Sequence, residues 1–233
     1  MNHSQISLKT LVKNIESNHY VTLDFQGRRI FVWDVIDIEK LGDSIIRDVT
    51  ISSIVTMQIE SKVFPTKPLN TALTSNLNPA PQQYVIDGYQ RLASISDIFL
   101  GTDSTFLYYF DLSAILNEKF PINQKSLEEV NLGTFCKAFQ EHESERFKPK
   151  FLLAADVINN KFNNGIGKFL LQVRSSLSLT SREFDDYFDY LINTLTSVAH
   201  YNLAITKINA TEDIAPIKRI YEKLNLPLFY QQA

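Results

Sequence analysis

Tyr84-Val85-Ile86-Asp87-Gly88-Tyr89-Gln90-Arg91-Leu92 is the stretch on which the reading of this chain turns. Tyr84 to Ile86 is a short apolar run that predicts a strand, Asp87-Gly88 predicts a tight turn, and the residues after it predict a helix to about Leu100. Leu92, Ile95 and Phe99 recur at helical spacing, and Gly101 sits where helices are commonly closed. Asp87 has the chemistry of an N-cap, with Gln90 at the reciprocal capping-box position. Gly88 removes the side chain where a ligand would approach the backbone. Arg91 falls in the first helical turn, beside the free N–H groups and the positive end of the dipole, which suits an anion or phosphate. On the residues alone two readings stay open: a phosphate seat, or an ordinary capped Asp-Gly turn with one arginine beside it.

The whole chain narrows the class. Its 233 residues are 44% hydrophobic and 21% charged, which fits a soluble globular protein with room for one larger domain or two small ones. A formal net charge of −3 excludes a global attraction to nucleic acid or anionic membranes, so any DNA contact needs a local basic patch. Cys136 stands alone, which excludes an internal disulfide and fits a reducing, cytoplasmic setting. Asn2-His3-Ser4-Gln5 lacks the basic-then-apolar layout of a signal peptide, and no apolar run approaches bilayer-spanning length. No membrane partner is expected.

Taken in order, Ile6 to Ile15 predicts a helix with Ile6, Leu8, Leu11, Val12 and Ile15 mostly on one face. Tyr20 to Phe25 alternates like a strand, and Arg28 to Trp33 continues as a second one with Arg29, Phe31 and Trp33 on one face. Val35, Ile38, Leu41, Ile45 and Ile46 predict a second helix ending at Arg47-Asp48, and Ile51 to Ile59 is a β-branched run. Phe64 to Gln83 holds Pro65, Pro68, Pro79 and Pro81 and reads as a long loop placed to cover the turn, or as a plain surface excursion. Thr105 to Leu112 predicts a strand, Gly133 to Gln140 a helix, and Glu141 to Lys150 a charged, solvated connection. The last third reads as helices over about Ala154 to Ser175, Ser181 to His200 and Ile214 to Leu224, with a strand at Leu203 to Ile208.

Several chemistries lack their motifs. There is no Gly-rich-Gly-Lys-Ser/Thr loop and no dinucleotide-binding glycine fingerprint; Gly165-Ile166-Gly167-Lys168 follows Asn163-Asn164 and reads as a turn before a helix. His3, His19, His142 and His200 have no metal-ligand spacing, and Asp185, Asp186 and Asp189 read as a solvated acidic face. No metal site is predicted among the side chains.

The stretch 84–92 resembles the Asp-Gly-Gln-Gln-Arg-Leu signature of the N-terminal domain of GmrSD-type, modification-dependent restriction enzymes, a domain similar to the ParB/sulfiredoxin superfamily. Arg29-x-Phe31-x-Trp33, followed by a helix with Leu41 and Ser44-Ile45, is similar to that family's Gln-Arg-x-Tyr-x-Trp and Leu-x-x-Ser-Ile portions. Ile220-Tyr221-Glu222-Lys223-Leu224-Asn225 is similar to its closing segment. The departures are Tyr89 in place of the signature's first glutamine, Gly27 between Gln26 and the arginines, and no glycine shortly after Asn225.

The resemblance implies an α+β fold: a small mixed sheet with flanking helices over 1–112, carrying the Asp-Gly turn, then a mainly helical extension over 113–233. It implies a nucleotide-binding module of DNA restriction or phage defence, with nucleoside triphosphate hydrolysis, assisted by Mg²⁺, as its enzyme reading. Asp87 and Arg91 would then be the catalytic pair; Gly88, Tyr89, Gln90 and Arg91, with Arg28 and Arg29, would hold phosphate; and Trp33 would stack on a base or pack in the core. No His-Asn-His nuclease half is present, so cleavage would fall to a separate nuclease subunit. Two alternatives stand beside this reading: a DNA-binding module that senses modification without turnover, and a shortened, non-catalytic interaction protein of the same family.

Overall fold

The computed structural model describes residues 2–23, 33–58, 66–69, 83–120, 134–177, 179–208 and 219. They fall into two compact units that interleave along the chain. One gathers Met1–Val32, Ser52–Ser96 and Asn202–Ala233; the other gathers Trp33–Ile51 and Asp97–Tyr201. A single cut near residue 112 would separate the last strand from the sheet it belongs to.

The first unit is a six-stranded mixed sheet. Its strands are β1 (Asn2–Ser7), β2 (Tyr20–Leu23), β3 (Ile54–Gln58), β4 (Thr66–Pro68), β5 (Gln83–Asp87) and, after the second unit's elements, β9 (Asn202–Ile208). The order is β1-β9-β3-β5-β2-β4, with β9/β3 and β5/β2 parallel and the remaining pairs antiparallel. The central β5 is buried over Gln83–Ile86, as its apolar run requires. Helix α1 (Leu8–Glu16) follows β1, capped by the Ser7 hydroxyl, which accepts from the Thr10 N–H, and it buries Leu8, Leu11, Val12 and Ile15. Ile6, expected on that helix, belongs to β1 instead. β1 is mostly exposed and exists because the edge of β9 offers it a ladder, Asn2 opposite Lys207 through Ser7 opposite Asn202. Helix α3 (Tyr89–Leu100) starts in this unit, and the boundary falls within it.

The second unit holds α2 (Val35–Ile46), a three-stranded antiparallel sheet of β6 (Phe106–Asp111), β7 (Cys136–Gln140) and β8 (Phe151–Leu153) in the order β7-β6-β8, and helices α4 (Leu112–Lys119), α5 (Ala154–Ile158), α6 (Asn163–Leu177) and α7 (Ser181–His200). Gly133 to Gln140 is therefore no helix where it is described. Cys136 to Gln140 pairs with β6 from Phe110 to Phe106, and its other edge is met by carboxylates: Asp43 accepts from the Phe135 and Cys136 N–H groups, both at 2.7 Å, and Glu39 accepts from Ala138 at 2.8 Å. The expected helix from Ala154 is likewise two helices, because Asn160 adopts φ 55° and closes α5. Gly165 and Gly167 lie inside α6 rather than ahead of it. A short 3-10 helix, Ser144–Phe147, occupies the charged connection, and α7 begins with a full capping box between Thr180 and Glu183. Within the expected loop 64–83, Thr66–Pro68 is a strand and Gln83 opens β5; the helix expected at 214–224 lies outside the described residues apart from Arg219.

Asp97, in the last turns of α3, is a half-buried carboxylate of the second unit. Burial raises its pKa from 3.8 to about 6, against the Thr102 hydroxyl that donates to it at 2.7 Å and with a smaller push from Asp103. The folded state thus holds this proton more tightly than the unfolded one. Its contribution to stability is largest at low pH and is lost as pH rises from about 4 to about 6. Asp97→Asn, which still accepts from Thr102, should flatten that slope and raise stability at neutral pH by about 1–3 kcal/mol. Urea unfolding of both proteins between pH 4 and pH 7 checks this; parallel pH profiles would refute it.

Candidate Asp-Gly junction site

β5 runs into the junction at Asp87, and the chain turns at Gly88 with φ 90° before α3 begins at Tyr89. The Leu92 N–H donates to the Gly88 carbonyl at 3.0 Å, so the N-cap position falls on Gly88, one residue later than the expected Asp87. Glycine is required here twice. Its φ is one that L side chains rarely adopt, and an added Cβ would lie 3.1 Å from Arg91 Nη2, 3.2 Å from Ile54 Cγ1 and 3.3 Å from Ile54 Cα.

Arg91 is bound into this corner. Its Nη2 donates to the Ser53 carbonyl at 2.9 Å and to Asp87 Oδ2 at 3.2 Å, and its side chain is 18% exposed against 35% for Asp87. Its Nε is buried with no hydrogen-bond partner among the described residues. The first turn of α3 carries no acidic residue to compete for the helix's N-terminal field. β3 reaches Ser53 and Ile54 through a register shift between Val55 and Thr56, and Val55 pairs with Asp87. Beyond that shift the register is held by a buried polar relay: the Thr56 hydroxyl donates to Gln83 Oε1 at 3.1 Å, and Gln83 Nε2 donates to Gln58 Oε1 at 3.0 Å. At the same end of β5, the Gln83 N–H donates to the His19 carbonyl, and burial with the nearby Lys207 lowers the His19 pKa.

The structure brings together Asp87, Gly88, Tyr89, Gln90 and Arg91. Arg28 and Arg29 lie outside the described residues. Trp33 belongs to the other unit, half-buried in the irregular stretch just ahead of Asp34, the N-cap of α2. Among the described residues no three His, Cys, Asp or Glu side chains converge as a metal site, and no helix is long and apolar enough to cross a membrane. Sequence reasoning missed the Ser53 carbonyl, the acceptor that fixes Arg91; a main-chain oxygen leaves no signature in residue types.

Fold and junction together define an α+β module whose central strand ends in an arginine-braced Asp-Gly turn at a helix N-terminus. The family model of the GmrSD restriction endonuclease, N-terminal domain, matches residues 8–226, nearly the whole chain, and the chain belongs to that family. The membership ties it to DNA restriction and phage defence. No curated protein matches the chain.

Gly88→Ala tests the closeness of the corner. Strain at φ 90° and the contacts with Ile54 and Arg91 should together lower stability by about 1–3 kcal/mol. An unchanged urea midpoint would show that β3 and the turn have room to part.

Proposed function

We propose that this chain is a nucleotide-binding regulatory module of a DNA-restriction system, seating nucleotide phosphate at the Asp87-Gly88 junction. The observation that carries the reading is the division of labour within Arg91. Nη2 is held by Ser53 and Asp87, while the buried Nε has no acceptor among the described residues. A buried donor without a partner is unfavourable by about 1–3 kcal/mol, and a phosphate oxygen relieves it with a charge-assisted bond. The N-terminal end of the α3 dipole, with no acidic residue in its first turn, adds to the same field.

Hydrolysis is the enzymatic extension of this proposal. Asp87 keeps Oδ1 outside its bond to Arg91, and it is exposed enough to orient a water molecule or a hydrated Mg²⁺. A single carboxylate fits that ion when the nucleotide brings the remaining ligands, because Mg²⁺ is commonly held by one or two carboxylates plus substrate phosphates. The ion would supply charge neutralisation, and Arg91 would stabilise charge developing on the transferred phosphoryl group. Arg28 and Arg29 are the candidates for a second cation, and a separate nuclease subunit is the partner to which such a module would answer.

Calorimetric titration with each of the four common nucleoside triphosphates, with and without Mg²⁺, tests the seat. Micromolar binding is expected for at least one, weakened about tenfold or more in Arg91→Ala and partly restored in Arg91→Lys. Thermal unfolding of each variant separates lost binding from a lost fold. Silence from the intact protein toward all four nucleotides would overturn the proposal.

A further inference from the structure

A cleft of about 510 Å³ in the helical unit lies between the end of α4 and the exposed side of α7. Lys119, Phe120, Asp186, Asp189, Tyr190 and Thr194 line it. None of them belongs to the Asp-Gly junction or to the family's signature stretches.

Its floor is aromatic. The Phe120 ring stacks at a tilt on Tyr187, with centroids 4.7 Å apart, and meets Tyr190 edge-on at 5.6 Å and 85°. Burial raises the pKa of both tyrosines, Tyr190 against a hydrogen bond with Thr194, so both rings are neutral at physiological pH. The rim is acidic. Asp186 and Asp189 are exposed, and neither has a hydrogen-bond or ion-pair partner among the described residues. One cation already shows what the floor accepts: Lys119 Nζ lies 5.1 Å from the Tyr190 centroid. The neighbouring Arg47 is committed elsewhere, paired with Glu118 and stacked 3.8 Å over Phe135.

An aromatic floor with two unpaired carboxylates at its edge is complementary to an organic cation, and best to a planar one that stacks and forks at once. A divalent metal would need converging oxygen ligands, which are absent here among the described residues. We propose that this cleft receives an arginine side chain from a basic segment of a partner protein, with Lys119 as the cation it displaces from Tyr190.

The test is calorimetric titration of the whole protein with a peptide of alternating arginine and glycine, with spermidine as a second probe. Asp189→Asn and Tyr190→Leu should each weaken peptide binding about tenfold, and Lys119→Ala should tighten it. Asp185→Asn removes the same charge from the same helix outside the cleft and should leave affinity within about twofold. Thermal melting confirms that each variant is folded, and Asp189→Asn, a surface change, carries the test if Tyr190→Leu is not. Equal weakening by Asp185→Asn would reduce the effect to unspecific attraction and overturn the proposal. So would tighter binding of spermidine than of the peptide, or no binding of the peptide at all. None of these readouts depends on nucleotide, so this proposal and the phosphate seat fail separately.

Discussion

The bond from Arg91 to the Ser53 carbonyl is the constraint around which the sheet unit is arranged. It ties the first turn of α3 to the residue before β3, across a glycine where a methyl group would be tight against Ile54 and Arg91. For the carbonyl to be there, β3 must pair with β5 in one register, shifted at Val55/Thr56, and Thr56, Gln83 and Gln58 hold that register by hydrogen bonds on the far side of the shift. A slip of one residue would move Ile54 and Met57 of β3, both fully buried, off the faces they occupy. Thr56 and Gln83 are buried themselves, so their bonds cannot be exchanged for water without loss. The corner and the relay are thus two ends of one specification: the relay sets where β3 lies, and the corner uses it.

The helical unit solves a different problem, the open edge of a small sheet. Among the described residues β7 has β6 on one side only, and its outward N–H groups would otherwise stand unpaired. Carboxylates take them in turn: Asp43 at Phe135 and Cys136, Glu39 at Ala138, and Glu143 more loosely at Gln140, 3.3 Å away. For Glu39 and Asp43, burial raises the pKa while these same backbone bonds oppose the rise. The contact is close because Gly42 faces the fully buried Cys136, where a Cβ would come within 2.5 Å of Sγ. Helix α2 therefore serves this sheet as a covering edge, with side-chain oxygens standing where a fourth strand's carbonyls would be.

What could be read from the residues follows from where each element draws its stability. The strand–Gly–helix junction, α1, α2 and α7 announce themselves because period, caps and glycine are local. The capping box at Thr180 and Glu183 sits where the sequence places a helix start. β1 carries no apolar alternation and owes its form to the β9 ladder, so no local pattern reveals it. β7 is five residues long, too short for its apolar positions to distinguish helix from strand, and its pairing with β6 decides the matter. In the site the same division holds. Asp87, Gly88 and Arg91 stand out by type and spacing, whereas the Ser53 carbonyl is fixed by a bulge and a relay contributed by two strands distant in sequence.

The electrostatics of the junction also bear on how a phosphate would be held there. Asp87 and Arg91 form an i,i+4 pair, so the corner offers an anion little net charge. Its attraction must come from direction: the Nε, which has no partner among the described residues, and the field of α3, both fixed before a ligand arrives. A guanidinium already braced on one side loses little further freedom on binding, which favours a single directed contact from Nε over a loose one. The same pairing penalises a highly charged phosphate that approaches Asp87 alone. On the proposed reading, a nucleoside triphosphate enters most favourably with its own divalent cation, which offsets the carboxylate and leaves Arg91 free to serve the phosphate.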